Sequence, residues 1–205
     1  MKSKNNLLVQ LNRLPHFTKT SVQELGGQLG LEDRTIEIYI SRFLKHRDIY
    51  RLKNGLYVSA HFFDTNRSDL SYSFYLANVL RTPSYVSSWS ALQYYGLATE
   101  AIRSVTSVTP KVTRKYETRA GTFAYQSIRK DLFSDFILVK GKFDFFVARP
   151  AKALFDLLYF RTKQFRGLSR EAVPAFIDEL RIDVDEMEKK EQERFYSLVN
   201  AYLHE

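Results

Sequence analysis

Cysteine is missing from all 205 residues. Its absence excludes disulfides, thiolate metal sites and cysteine nucleophiles together. Histidine is scarce. The four present, His16, His46, His61 and His204, are scattered without ligand spacing, so neither a zinc site nor a cofactor is expected. The chain also lacks a phosphate-binding glycine loop, a G-x-S-x-G turn and an H-x-x-H pair, and no catalytic constellation emerges. No run reaches the ~18 apolar residues of a membrane-spanning helix. The opening MKSKNNLLVQLNRLP has a basic head, but Gln10, Asn12 and Arg13 break its apolar part, which argues against a signal peptide. A cytoplasmic protein with no membrane partner is expected, and not an enzyme.

What is present suits a folded chain. Hydrophobic residues make up 44% and aromatics 15%, enough for a packed core. The net charge of +8 favours a polyanionic partner. It is unevenly spread. Residues 1–60 carry 10 basic and 5 acidic side chains, residues 61–165 carry 15 and 8, and residues 166–205 carry 6 and 10. The tail is therefore acidic and the rest basic.

In the first block, Leu7, Leu8, Leu11 and Leu14 have helical spacing and predict a first helix ending near Pro15. Thr20-Ser21 with Glu24 reads as a capping box for a short second helix carrying Val22, Leu25 and Leu29, with Gly30 as its stop. Asp33 is placed to cap a third helix over 34–46. Ile36, Ile40, Phe43, Leu44 and the stem of Arg47 fall on one side of it. Arg34, Ile38, Ser41, Arg42 and Lys45 fall on the other. RLKNGLY (51–57) then predicts a hairpin, with Asn54-Gly55 at a type I′ turn.

Helix, short helix, third helix and hairpin follow in the order of a winged helix-turn-helix. In that geometry the third helix enters the major groove of double-stranded DNA. Arg34, Arg42 and Lys45 would supply cationic donors, Thr35 and Ser41 hydroxyls, and Ile38 a contact for a thymine methyl. Arg51, Lys53 and Asn54 on the wing would reach phosphates or a minor groove. The same elements also suit a structural or protein-binding winged domain. A short site implies repeated operators bound by two or more copies.

HFFDTNRS (61–68) has turn formers and reads as a linker, which separates a domain at 1–65 from one at 69–205. Helices are expected over 69–81 and around Ala91, Leu92 and Tyr95, the latter capped by Ser88 or Ser90 and stopped by Gly96. Strands are expected over 104–109 and 122–128, and two more within 136–148 around Lys140-Gly141-Lys142. Helices over 149–160, with Pro150 in the first turn, 169–181 and 184–203 complete the chain. The fold class is α+β: an N-terminal winged helix-turn-helix, then a mixed α/β domain with C-terminal helices.

Lys111, Arg114, Lys115 and Arg119 cluster around Tyr116 in PKVTRKYETRAG (110–121). They suit a phosphate backbone or single-stranded bases, and a solvated polar loop equally well. Asp144, Lys152 and Asp156 raise a nuclease reading. An Asp156 pairing with Lys152 four residues earlier on a helix is the plainer account.

Three stretches carry a family resemblance: GLYVSA closing the basic N-terminal block, then YVSSWSALQYYGL, then RPAKALFDLLYF. In this order they resemble the AbiEi-like antitoxins, transcriptional regulators of type IV toxin–antitoxin systems. The resemblance spans about residues 10–160 and maps the winged-helix positions above onto DNA contact. It implies repression of the protein's own operon through promoter DNA. It also implies counteraction of a nucleotidyltransferase-type toxin without a stable complex with it. A stand-alone regulator with no toxin would keep the same motifs.

Overall fold

The computed structural model of the chain describes residues 2–98 and 104–203; His204 lies outside them. The protein is a mixed α+β fold with helices at its C-terminal end. Contacts group residues 1–76 with 116–122 as one unit, and 77–115 with 123–205 as a second.

The first unit is built on three helices and a small sheet. Helix α1 spans Lys2–Leu11, four residues short of the predicted end at Pro15. Strand β1 (Phe17–Thr18) leads into α2 (Lys19–Gln28). Helix α3 covers Asp33–His46, and β2 (Ile49–Lys53) and β3 (Leu56–Ser59) form the hairpin. The sheet order is β1-β3-β2, both pairs antiparallel. Leu7, Leu11, Phe17, Val22, Ile36, Ile40, Phe43, Ile49 and Tyr57 form one buried core, so α3 is held by the apolar stripe its periodicity predicts.

Several local details differ from the sequence reading. The capping box of α2 lies one turn earlier than Ser21 and Glu24. Thr18 is the cap, its Oγ1 accepting from the Ser21 N–H at 3.1 Å, and Ser21 Oγ accepts in return from the Thr18 N–H at 3.3 Å. Asp33 opens α3 as a helical residue instead of capping it, where its charge suits the positive end of the helix dipole. Arg47 does not lie along the apolar stripe. It ends α3 in the left-handed conformation at φ 64°, with Asp48 N–H bonded to Phe43 C=O at 2.9 Å in a Schellman closure. In the hairpin Gly55 takes φ 74° but Asn54 stays out of the left-handed region, so the turn is not type I′. A register shift between Arg51 and Lys53 absorbs the difference.

The stretch read as a linker, 61–68, is mostly helix. Ser59 caps α4 (Ala60–Asn66), accepting from Phe62 N–H at 3.0 Å, and α5 follows at Leu70–Leu80. Phe62 and Phe63 pack on Tyr72 at ring separations of 5.5 and 6.4 Å, and the Tyr72 hydroxyl donates to Pro15 C=O at 2.8 Å. The first unit therefore runs on through the first half of α5.

The second unit holds most of a six-stranded sheet, of which residues 116–122 group with the first unit. Its strands are β4 (Tyr85–Val86), β5 (Ser104–Thr109), β6 (Arg114–Thr118), β7 (Gly121–Ser127), β8 (Phe136–Val139) and β9 (Phe145–Ala148). They lie in the order β6-β7-β5-β4-β9-β8, with β4 parallel to β9 and antiparallel to β5. Helices α6 (Ser88–Tyr94) and α7 (Pro150–Arg161) pack against it, α9 (Lys189–Leu203) packs on α7, and α8 (Val173–Glu179) lies between α7 and α9 in the chain. Ser87, not Ser88 or Ser90, is the cap position of α6, and Gly96 ends it at φ 75°. α7 is buried from Ala151 to Tyr159, packed against α6 and α9. Of the tail's apolar residues expected under a solvated face, Met187, Phe195, Leu198 and Val199, the structure buries Met187, Phe195 and Val199 and leaves Leu198 half-buried. Among the described residues no helix is long and apolar enough to cross a membrane.

Candidate nucleic-acid interface

The amphipathic split of α3 gives the candidate site its floor. One face is sealed in the core by Ile36, Ile40 and Phe43. On the other, Arg34, Ser41, Arg42 and Lys45 are exposed, Thr35 is half-buried, and Ile38 is 44% exposed. An isoleucine left that open on a well-formed helix has no core role. Glu37 lies at the margin of this face, where Lys19 of α2 neutralises it through a 2.6 Å ion pair. Each partner shifts the other: the Lys19 amine rises and the Glu37 carboxyl falls, chiefly through their shared hydrogen bond. The face is thus cationic, with Glu37 at its margin paired and Asp33 standing before it in the first turn.

Gly26 sets how closely α2 approaches α3. A Cβ there would overlap the Ile36 side chain, so only glycine allows this approach. The hairpin is tied to the same assembly by Lys19 N–H donating to Gly55 C=O at 3.1 Å. On it Arg51 and Asn54 are exposed and Lys53 is half-buried. The Arg51 guanidinium lies 6.0 Å from the centre of the Tyr57 ring.

The second basic stretch is not one patch. β6 was unforeseen, and within it Arg114 and Lys115 point to opposite faces by strand alternation. Lys111 is spent on structure, its ammonium donating to Thr82 C=O at 2.6 Å. Lys111, Arg114 and Lys115 belong to the second unit, whereas Arg119 belongs to the first. The Arg119 guanidinium lies over Tyr50, 5.9 Å from the ring centre.

The residues that raised a nuclease reading do not form an open site. Lys152 and Asp156 pair i to i+4 inside α7, with side chains 2% and 0% exposed. Tyr85 and Ser87 hydroxyls donate to the other Asp156 oxygen at 3.0 and 2.7 Å. Burial pushes the Asp156 carboxyl up, against the pull of Lys152, Ser87 and Tyr85. Asp144 is exposed and accepts from Gly141 N–H at 3.0 Å in the β8–β9 turn. Among the described residues no group of three or more His, Asp or Glu could hold a metal ion. The buried quartet of Lys152, Asp156, Tyr85 and Ser87 is a structural network joining α7 to β4.

Sequence reasoning missed Arg47. Its register put it with the apolar stripe, but the left-handed closure of α3 turns it into an exposed cation. The Leu44-to-Asp48 switch from apolar to polar was the available signal. No protein-family model matches the chain, and no curated protein matches it.

Proposed function

We propose that the protein is a DNA-binding transcriptional regulator whose first unit is a winged helix-turn-helix. The observation that carries this reading is the outer face of α3. It combines three exposed cations, a serine and a bare isoleucine on a helix whose other side is locked in the core. The order α1, α2, α3, hairpin supports it, with β2–β3 as the wing. So does the net charge of +8. Such a regulator works in the cytoplasm on promoter DNA and needs no cofactor.

The resemblance of GLYVSA, YVSSWSALQYYGL and RPAKALFDLLYF to AbiEi-like antitoxins supports a more specific role. In it the protein represses its own operon and counteracts a nucleotidyltransferase-type toxin without a stable complex. Labelled DNA from upstream of the gene, incubated with the protein and Mg²⁺, tests the regulator reading. Retarded but intact DNA supports it. Specific cleavage would replace it with a nuclease, and no retardation at moderate salt with a protein-binding adaptor. Co-expression with a neighbouring nucleotidyltransferase gene tests the antitoxin role separately: cells must survive only with the protein present.

A further inference from the structure

A groove of about 610 Å³ lies in the first unit, at the C-terminal end of α3. Its lining includes Arg47, Tyr50, Arg51, Glu117 and Arg119. Its walls are the last turn of α3, strand β2 and the β6–β7 tip. Arg47, Arg51 and Arg119 are all exposed. Among the described residues none of the three forms an ion pair with an acidic side chain.

Two of these guanidiniums are pre-positioned. Arg119 rests over Tyr50 and Arg51 over Tyr57, at 5.9 and 6.0 Å from the ring centres. Tyr50 is itself braced edge-on by Phe63, with ring centres 5.9 Å apart. A guanidinium resting over a ring loses less freedom when it binds. Arg47 is fixed differently, by the left-handed backbone that closes α3. Three arginines against one carboxylate, Glu117, in a concave site concentrate positive potential. Guanidinium forks match phosphate oxygens. Neighbourhood selects the phosphate source: Arg47 closes α3 and Arg51 lies on hairpin strand β2, the two elements that the reading above assigns to duplex DNA.

We propose that the groove grips the phosphodiester backbone flanking the DNA that α3 faces, with Arg119 on the β6–β7 tip acting beside Arg47 and Arg51 as a second wing. This rests on the DNA-binding reading above. It assigns Arg119 to DNA and separates it from Lys111, Arg114 and Lys115.

The test is the affinity of the full chain for mixed-sequence duplex DNA across a salt series. Losing one phosphate contact lowers the salt slope by about 0.9 and weakens binding about fivefold near physiological salt. Arg119→Gln should show both losses. Glu117→Gln should bind more tightly than the parent, an opposite change that mere damage to the fold would not produce. Arg42→Ala serves as the reference for α3. If Arg119→Gln and Glu117→Gln both match the parent while Arg42→Ala weakens binding, the groove proposal is overturned and the DNA-binding reading stands. If the parent binds no duplex, both fall. Should Arg119→Gln fail to fold, Arg47→Gln with Glu117→Gln decides in the same way.

Discussion

The carboxylate of Glu191 on α9 accepts the backbone N–H of Ala151, in the first turn of α7, at 3.0 Å. The Arg149 side chain makes no cap hydrogen bond, so Glu191, 40 positions beyond Ala151, does the capping. The Arg149 guanidinium lies 3.9 Å from the other Glu191 oxygen. The acidic tail is therefore fastened to the most buried helix of the second unit. Glu191→Ala should cost about 0.5–2 kcal/mol, the usual range for a lost N-cap. Chemical denaturation of parent and variant measures it, and an unchanged midpoint would mean that the contact is not formed in solution.

Close approach of α2 and α3 depends on Gly26, where any Cβ would meet Ile36. Gly26→Ala raises helix propensity by up to about 1 kcal/mol. Overpacking a buried contact costs about 1–3 kcal/mol. The net expectation is destabilisation, and with it a shifted α3 and weaker DNA binding. A variant more stable than the parent would show that Ile36 can move aside freely.

His16 should make the first unit sensitive to acid. Its Nδ1 lies 2.6 Å from the Tyr75 hydroxyl, and burial pulls its pKa below the ordinary 6.5. A folded pKa below the unfolded one means that the unfolded chain takes the proton first. The His16 contribution is thus full above pH 6.5 and is lost as pH falls from there toward the folded value. The thermal midpoint should drop between about pH 7.5 and about pH 5.5, and less so in His16→Gln. Equal drops in both proteins would assign the acid sensitivity to other groups.

Long periodic segments were legible in the sequence. α3 showed its two faces because 14 residues sample the helical period several times, and β5 came out at 104–109 as expected. β1 and β4 have two residues each, too few to show any period. β6 reads RKYET, with Tyr116 as its one aromatic among polar residues, because it is an edge strand with little to bury. HFFDTN looked like a linker because Asp64 and Asn66 are turn formers. In the fold Asn66 turns its amide back to Phe62 C=O at 2.8 Å, and the two phenylalanines find Tyr72. The α3 face followed from periodicity alone. The groove did not, since it joins residues more than 60 positions apart.

Within α7, Lys152→Met would leave the Asp156 carboxyl buried with only Tyr85 and Ser87 to stabilise it. Breaking a buried pair from one side costs about 3–5 kcal/mol. Burial already raises the Asp156 pKa in the folded protein, and removing Lys152 takes away an opposing pull. A carboxyl with a raised folded pKa favours folding when protonated, and that contribution is lost as pH rises through the folded pKa. The variant's deficit should therefore shrink in acid. Unfolding of parent and variant at neutral and mildly acid pH checks this, and a deficit that grows in acid would contradict it.

The reading of α3 as the DNA-facing helix makes its two arginines separable from the rest of the fold. Arg34 and Arg42 are exposed and lie outside the buried core, so replacing either with alanine leaves that core intact. Arg34 stands in the first turn and Arg42 two turns on, so they address different steps of a duplex. An arginine bound to a guanine edge contributes about 1–3 kcal/mol of discrimination, whereas one bound to phosphate weakens all sequences alike. Arg34→Ala and Arg42→Ala should each weaken binding to the protein's own promoter with little change in thermal midpoint. The ratio of promoter to mixed-sequence affinity then sorts them, falling for a base reader and holding for a phosphate contact. Parent-like promoter affinity in both variants would remove α3 as the reading helix.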